Sequence, residues 1–148
     1  MPLHDISTDI DSPPAFVDVL RVRRWALNPP EYGGARVAAL QRLHYPDIQP
    51  LVLTAPLATV HAVVRDLMDA EGWQIVGDAA AEGRLEAVAI TPWLRFRDDV
   101  IVRLRPLGDG RVRVDMRSKS RIGRSDLGTN ARRVRGFLSR LEALTPRG

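Results

Sequence analysis

The stretch whose reading decides the fold is Val112-Arg113-Val114-Asp115-Met116-Arg117-Ser118-Lys119-Ser120-Arg121-Ile122-Gly123-Arg124-Ser125-Asp126-Leu127-Gly128-Thr129-Asn130-Ala131. It opens as a strand, with Val112, Val114 and Met116 on one face and Arg113, Asp115 and Arg117 on the other. A polar loop carrying Lys119, Arg121 and Arg124 follows, and then a helix. Asp126 is the expected N-cap, its carboxylate accepting free amides of the first turn. Leu127, Ala131, Val134, Leu138 and Leu141 recur at helical spacing and form one apolar stripe. A strand, an Arg/Ser-rich loop and a helix N-terminus together make a place where an anion could sit.

Upstream, Asp98 to Arg105 reads as the partner strand of Arg111 to Ser118, with Leu107-Gly108-Asp109-Gly110 as the hairpin turn. In-register pairing puts Val100, Val102 and Leu104 beside Val112, Val114 and Met116. Asp99, Arg103, Arg105, Arg113, Asp115 and Arg117 then share the opposite face, expected to be solvated. Cross-strand pairs there, such as Asp99 with Arg117, would add a few tenths of a kcal/mol to about 1. Arg84 to Thr91 is another strand, stopped by Pro92, and Trp93, Leu94 and Phe96 form a cluster that could line a pocket or a rim but is expected in the core. Trp73 to Val76 is a strand, and Val60, Val63, Val64, Leu67 and Met68 stripe a helix ending at Gly72. Thr54 is expected to cap that helix with Pro56 in its first turn, after a short strand Leu51 to Thr54. The order β-α-β-β-β-β-α predicts an α+β fold: a single mostly antiparallel sheet with two helices on one face.

Residues 1–50 are expected to form an ordered N-terminal arm wrapping the α+β core domain 51–148, one domain overall. Pro2, Pro13, Pro14, Pro29, Pro30, Pro46, Pro50 and Gly33-Gly34 break long elements. Only Ala15 to Ala26 and a turn around Val37 to Leu43 suggest helix. Phe16, Trp25, Tyr32, Leu40, Tyr45 and Ile48 argue against a disordered tail. Asp5, Asp9, Asp11 and Asp47, with His4 and His44, match no calcium loop, so caps and pairing with basic residues are expected and no metal.

The 148 residues are 45% apolar and 27% charged, ordinary for a globular chain with its own core. The absence of cysteine excludes disulfides, thiolate metal sites and thiol nucleophiles. No apolar run nears the roughly 20 residues of a membrane span. The start lacks a signal-peptide pattern, so the chain as it stands reads as cytoplasmic, with an envelope location only given an upstream segment. The net charge of +4 conceals a balance of −5 over residues 1–94 and +9 over 95–148. Such a split means either an anionic partner for the basic part or mutual neutralisation within one fold. Arginine outnumbers lysine 21 to 1.

No nucleophile elbow, phosphate loop or dinucleotide fingerprint is present, and no cofactor is expected. Anion binding fits the residues best: Arg103, Arg117 and Arg121 offer donor forks, Ser118 and Ser120 hydroxyls, and Asp126 and Asn130 mark the helix start. Asp126 itself competes for the same amides, and the arginines could equally brace the loop against Asp98, Asp115 or Asp126.

Leu3-His4-Asp5-Ile6-Ser7-Thr8-Asp9, Pro13-Pro14-Ala15-Phe16, Tyr45-Pro46-Asp47-Ile48-Gln49-Pro50, Gly72-Trp73, Asp98-Asp99-Val100 and Asp115 through Ala131 resemble a bacterial family, domain of unknown function 1499. The resemblance covers nearly the whole chain. It implies a small protein whose relatives often carry an upstream signal or membrane segment, and it brings no activity with it. Three functions follow in order. The first is a non-catalytic module binding a small anionic ligand or a protein partner at the Arg/Ser-rich loop. The second is a small enzyme using Asp99 or Asp115 with a histidine from the arm. The third, less favoured, is nucleic-acid binding through Arg124, Arg132, Arg133, Arg135 and Arg140 of the last helix.

Overall fold

Alternation of apolar and charged residues over residues 97–106 and 111–120 produces the two longest strands, and the rest of the sheet grows outward from them. A computed structural model describes residues 3–23, 26–92, 95–123 and 128–146. The elements are β1 (Asp5–Ser7), α1 (Gly34–His44), β2 (Leu51–Thr54), α2 (Leu57–Ala70), β3 (Gln74–Ala79), β4 (Arg84–Ile90), β5 (Arg97–Pro106), β6 (Arg111–Ser120) and α3 (Thr129–Leu144), with 3-10 turns at Asp18–Val22 and Ala80–Glu82. The sheet runs β1-β6-β5-β4-β3, every pair antiparallel. β2 shares the outer edge of β6 with β1: Leu51–Thr54 faces residues 111–114 and Asp5–Ser7 faces residues 117–119.

The fold is therefore α+β with one antiparallel sheet, as the element pattern implies. Val100, Val102 and Leu104 do share a face with Val112, Val114 and Met116, joined there by Leu85, Ala87 and Ala89. Val60, Val64, Leu67 and Met68 of α2 and Ala131, Val134, Phe137 and Leu141 of α3 cover it. Phe137 is fully buried and stacks on Trp73 at 5.2 Å, whereas Leu138 is only partly buried. Leu127 lies outside the described residues.

The leading fifty residues hold more regular structure than their prolines suggest. Asp5–Ser7 adds a strand, α1 spans Gly34–His44, and among the described residues of the expected 15–26 helix only Asp18–Val22 turns, as 3-10. Gln41 of α1 donates to the Ser7 carbonyl at 2.6 Å and accepts the Ser7 amide at 3.0 Å, so a side chain completes the outer edge of β1. Thr54 does not cap α2; Pro56 holds that position and its carbonyl accepts the Val60 amide. Phe96, expected in the core, is 46% exposed, and Trp93 and Leu94 lie outside the described residues.

The expectation of a solvated charged face is overturned for Asp99, Asp115 and Arg117, while Arg105 is exposed and Arg103 and Arg113 are half-buried. Glu86, Asp99 and Asp115 are fully buried, and Arg117, Lys119 and Arg121 nearly so, because residues 8–23 and 26–32 lie over them. β3 admits the 3-10 turn closely. A Cβ at Gly77 would fall 2.1 Å from Asp18 Oδ2.

Candidate functional site

Strand alternation sets the geometry of the charged face. β6 continues to Ser120, two residues beyond the expected end of the strand. Residues 113, 115, 117 and 119 therefore stay on one side and 118 and 120 on the other.

On the side away from α2 and α3, Arg117 donates to both oxygens of Asp5 at 2.9 Å, to the Pro14 carbonyl at 2.9 Å and to the Pro30 carbonyl at 2.8 Å. Its guanidinium lies between the rings of Phe16 and Tyr32, 4.5 and 5.6 Å from their centroids. Asp99 sits opposite Lys119 rather than Arg117 and takes Arg23 at 2.5 Å and Arg121 at 2.9 Å. Arg103 reaches the Ser12 carbonyl and Asp9, each at 3.0 Å, and Asp115 at 3.4 Å; Asp115 also accepts from Arg113 and Thr8. Burial pushes the Asp9 carboxyl up, but the amides of Ser12 and Asp11 and then Arg103 and Arg113 outweigh it and hold it below the usual range. Glu86 accepts the amides of Val17, Asp18 and Val19, which ties down the 3-10 turn, while burial pushes its carboxyl up.

On the helix side, Ser118 donates to Asn130 Oδ1 at 2.6 Å and Asn130 donates to Ser120 at 2.8 Å. Arg133 closes the network onto Asp98 at 2.7 Å. The sequence-predicted residues thus divide. Arg103, Arg117 and Arg121 lie under residues 8–23 and 26–32, Ser118, Ser120 and Asn130 lie at the start of α3, and Asp126 lies outside the described residues. One small ligand cannot touch both groups, because the sheet stands between them.

Neither Asp99 nor Asp115 is bonded to a histidine among the described residues. His61 pairs instead with Asp78 at 2.8 Å. The basic outer side of α3 is paired as well: Arg133 with Asp98, Arg135 with Asp47 and Arg140 with Glu71. Among the described residues no group of three or more His, Asp or Glu could hold a metal ion. No described helix is long and apolar enough to cross a membrane.

The end of the sheet beside the Arg/Ser-rich loop is different. The Arg121 amide donates to the Arg97 carbonyl, the Asn28 amide to the Arg121 carbonyl, and Arg121 Nη1 to the Val22 carbonyl. These bonds bring Val22, Leu27, Ile90, Phe96 and Ile122 to one rim, exposed by 41%, 78%, 41%, 46% and 44%. Arg95 and Arg97 beside them are exposed and form no ion pair among the described residues. Arg95 is held at φ 53° in the turn after β4, the one described non-glycine residue with positive φ. Of this rim, sequence reasoning offers only Phe96, in a cluster open to a pocket or rim role but expected in the core; Val22, Leu27, Ile90 and Ile122 carry no such signal.

No curated protein matches the chain. The model of the family described as "Protein of unknown function (DUF1499)" matches residues 5–141, from β1 into the last turns of α3, and the chain belongs to that family.

Proposed function

We propose that the protein is a non-catalytic docking module whose anionic partner is a lipid surface, met at the end of the sheet beside the Arg/Ser-rich loop. The observation that carries this reading is the rim of Val22, Leu27, Ile90, Phe96 and Ile122 with exposed Arg95 and Arg97 next to it, which form no ion pair among the described residues. Apolar side chains enter the headgroup boundary while arginines meet phosphates, a combination suited to peripheral attachment. Two arginines near an anionic leaflet contribute roughly 2 kcal/mol, and the apolar contacts supply the rest. The buried arginines Arg117 and Arg121 have a different part: their bonds to the Pro14, Pro30 and Val22 carbonyls hold the leading segment, so that Val22 and Leu27 reach the rim.

Co-sedimentation with phosphatidylglycerol vesicles tests the reading. Binding is expected, weak to phosphatidylcholine, reduced by high salt and lost in Leu27→Ser/Phe96→Ser. Absence of binding to anionic vesicles, or binding unchanged in that variant, overturns it and leaves a protein partner for the same rim.

A further inference from the structure

An outer strand of a sheet leaves backbone donors and acceptors on its free side, and the outer strands of this sheet treat them differently. On β6 the Met116 amide donates to the Thr8 hydroxyl, the Met116 carbonyl accepts the Thr8 amide, and the Ser120 amide donates to the His4 carbonyl. The even-numbered residues of β6 thus turn their backbone groups to its outer edge. Ile6 of β1, opposite Ser118, bonds to β6, while Ser7 faces away and Gln41 takes up both its amide and its carbonyl. By the same alternation Leu51 and Leu53 of β2, opposite Val114 and Val112, bond to β6. The N–H and C=O groups of Val52 and Thr54 then point outward, and no hydrogen bond from another described segment reaches them. β3 is guarded by a register shift between Ile75 and Gly77. β2 has no bulge, proline or charge within Leu51–Thr54, and Val52 is 45% exposed.

A groove runs between this edge and α3. Its wider part, about 310 Å³, is lined by Ile48, Leu51, Val134, Leu138 and Glu142 among others. Its narrower part, about 210 Å³, lies between Val52, Leu53 and Thr54 and the helix end at Glu142, Thr145 and Pro146. Glu142 borders both parts, is exposed and forms no ion pair among the described residues. Asp47 and Arg135, at the other end, neutralise each other. The groove is therefore apolar beside Leu51 and negative beside Thr54.

We propose that the β2 edge captures an extended segment of another protein as one further antiparallel strand, with a basic residue of that segment two positions ahead of an apolar one. The residues opposite Val52 and Thr54 exchange backbone bonds with them, a mode in which the main chain gives affinity and alternate side chains give specificity. The residue between those two lies opposite Leu53 and turns its side chain toward α3, where a lysine or arginine meets Glu142. In the antiparallel direction the residue opposite Leu51 comes two places later, and there an apolar side chain packs on Leu51, Val134 and Leu138. A second copy fits less well. Pairing β2 with β2 about a two-fold axis at Leu53 would bring both copies' Glu142 side chains together, and four residues of edge are short against the roughly 800 Å² per partner of a stable dimer. The edge lies at the Arg111 end of β6 and the rim of Phe96 and Ile122 at its Ser120 end, so the two surfaces stand or fall separately.

The test titrates the isotope-labelled full chain with a capped peptide whose centre reads threonine-lysine-threonine-leucine, followed by the amide resonances. Shifts are expected at Val52, Thr54 and Glu142 and not at Ser7. Replacing the lysine by glutamate should weaken binding about tenfold or more, because a like charge then meets Glu142. In Glu142→Lys the order of the two peptides should reverse. N-methylation of the threonines flanking the lysine should abolish binding, since it removes the donors that face β2. Val52→Pro should lose the peptide and keep the fold, because proline replaces an outward N–H and spares the bonds of Leu51 and Leu53 to β6. No shift at Val52 and Thr54 at millimolar peptide, equal affinity for the lysine and glutamate peptides, or binding that survives N-methylation overturns the proposal. So does a dimer in sedimentation whose formation shifts the Val52 and Thr54 amides without peptide, which gives the edge to a second copy. The wild-type and Glu142→Lys titrations decide the matter even if Val52→Pro fails to fold.

Discussion

The two faces of this sheet are both buried, yet by different physics. Beneath α2 and α3 lie Val100, Val102, Val112, Val114, Met116 and Phe137, packed by the hydrophobic effect. Beneath residues 8–23 and 26–32 lie Asp99, Asp115, Arg117, Lys119 and Glu86, held by ion pairs and by bonds to backbone carbonyls and amides. The first face tolerates repacking of similar shapes. The second is specific: Arg117 finds Asp5, Pro14 and Pro30 in one arrangement of the leading segment, and a misplaced segment strands a buried charge.

The sharpest contrast comes from deleting one group on each side. Phe137→Ala should cost about 3–5 kcal/mol in urea unfolding, by lost transfer energy and the cavity left behind. Arg117→Ala should cost a similar ~3–5 kcal/mol, because Asp5 remains buried with only Lys119 near it. The mechanisms separate in double variants. Adding Asp5→Leu to Arg117→Met should recover most of the loss, whereas no second deletion rescues Phe137→Ala. If the Asp5/Arg117 double variant is as damaged as the sum of its singles, the charged face is not governed by pairing.

Gln41→Ala should cost about 1–3 kcal/mol, since it leaves the Ser7 amide and carbonyl unsatisfied at a buried edge. Acid should act on the charged face first. Asp9 is held below the usual carboxylate range by the folded state, so its contribution is present above the unfolded value and lost as pH falls through the folded one. Urea midpoints measured from pH 7 down to pH 2 should therefore decline below about pH 4, and Asp9→Asn should flatten part of that decline. The smallest effect is expected at the rim of α3. Asp47→Ala removes a half-exposed pair with Arg135 and should shift stability by roughly 0–1 kcal/mol.

The charge imbalance between the two parts of the chain, −5 against +9, is met in part inside the molecule. Asp5 meets Arg117, Asp9 meets Arg103 and Arg113, Asp47 meets Arg135 and Glu71 meets Arg140. That outcome was one of two readings open in the sequence, and composition alone had no means of choosing between them.

The sequence by itself determined the hairpin of β5 and β6, its register, the apolar stripe of α2 and the α+β class. These follow from periods of 2 and 3.6 residues and from local turn chemistry, which act over short separations. Alternation, carried two residues further, would also have separated Arg117 from Ser118 and Ser120. Only tertiary structure decided that the charged face is covered, that Asp99 belongs to Arg23 and Arg121, and that Phe96 and Leu27 stand in the open. Most of those outcomes depend on contacts between residues far apart in the chain, such as Arg23 with Asp99 and Arg117 with Asp5, each pair more than seventy positions apart. The meeting of distant segments is settled by burial and pairing energies of the whole fold, which no local pattern encodes.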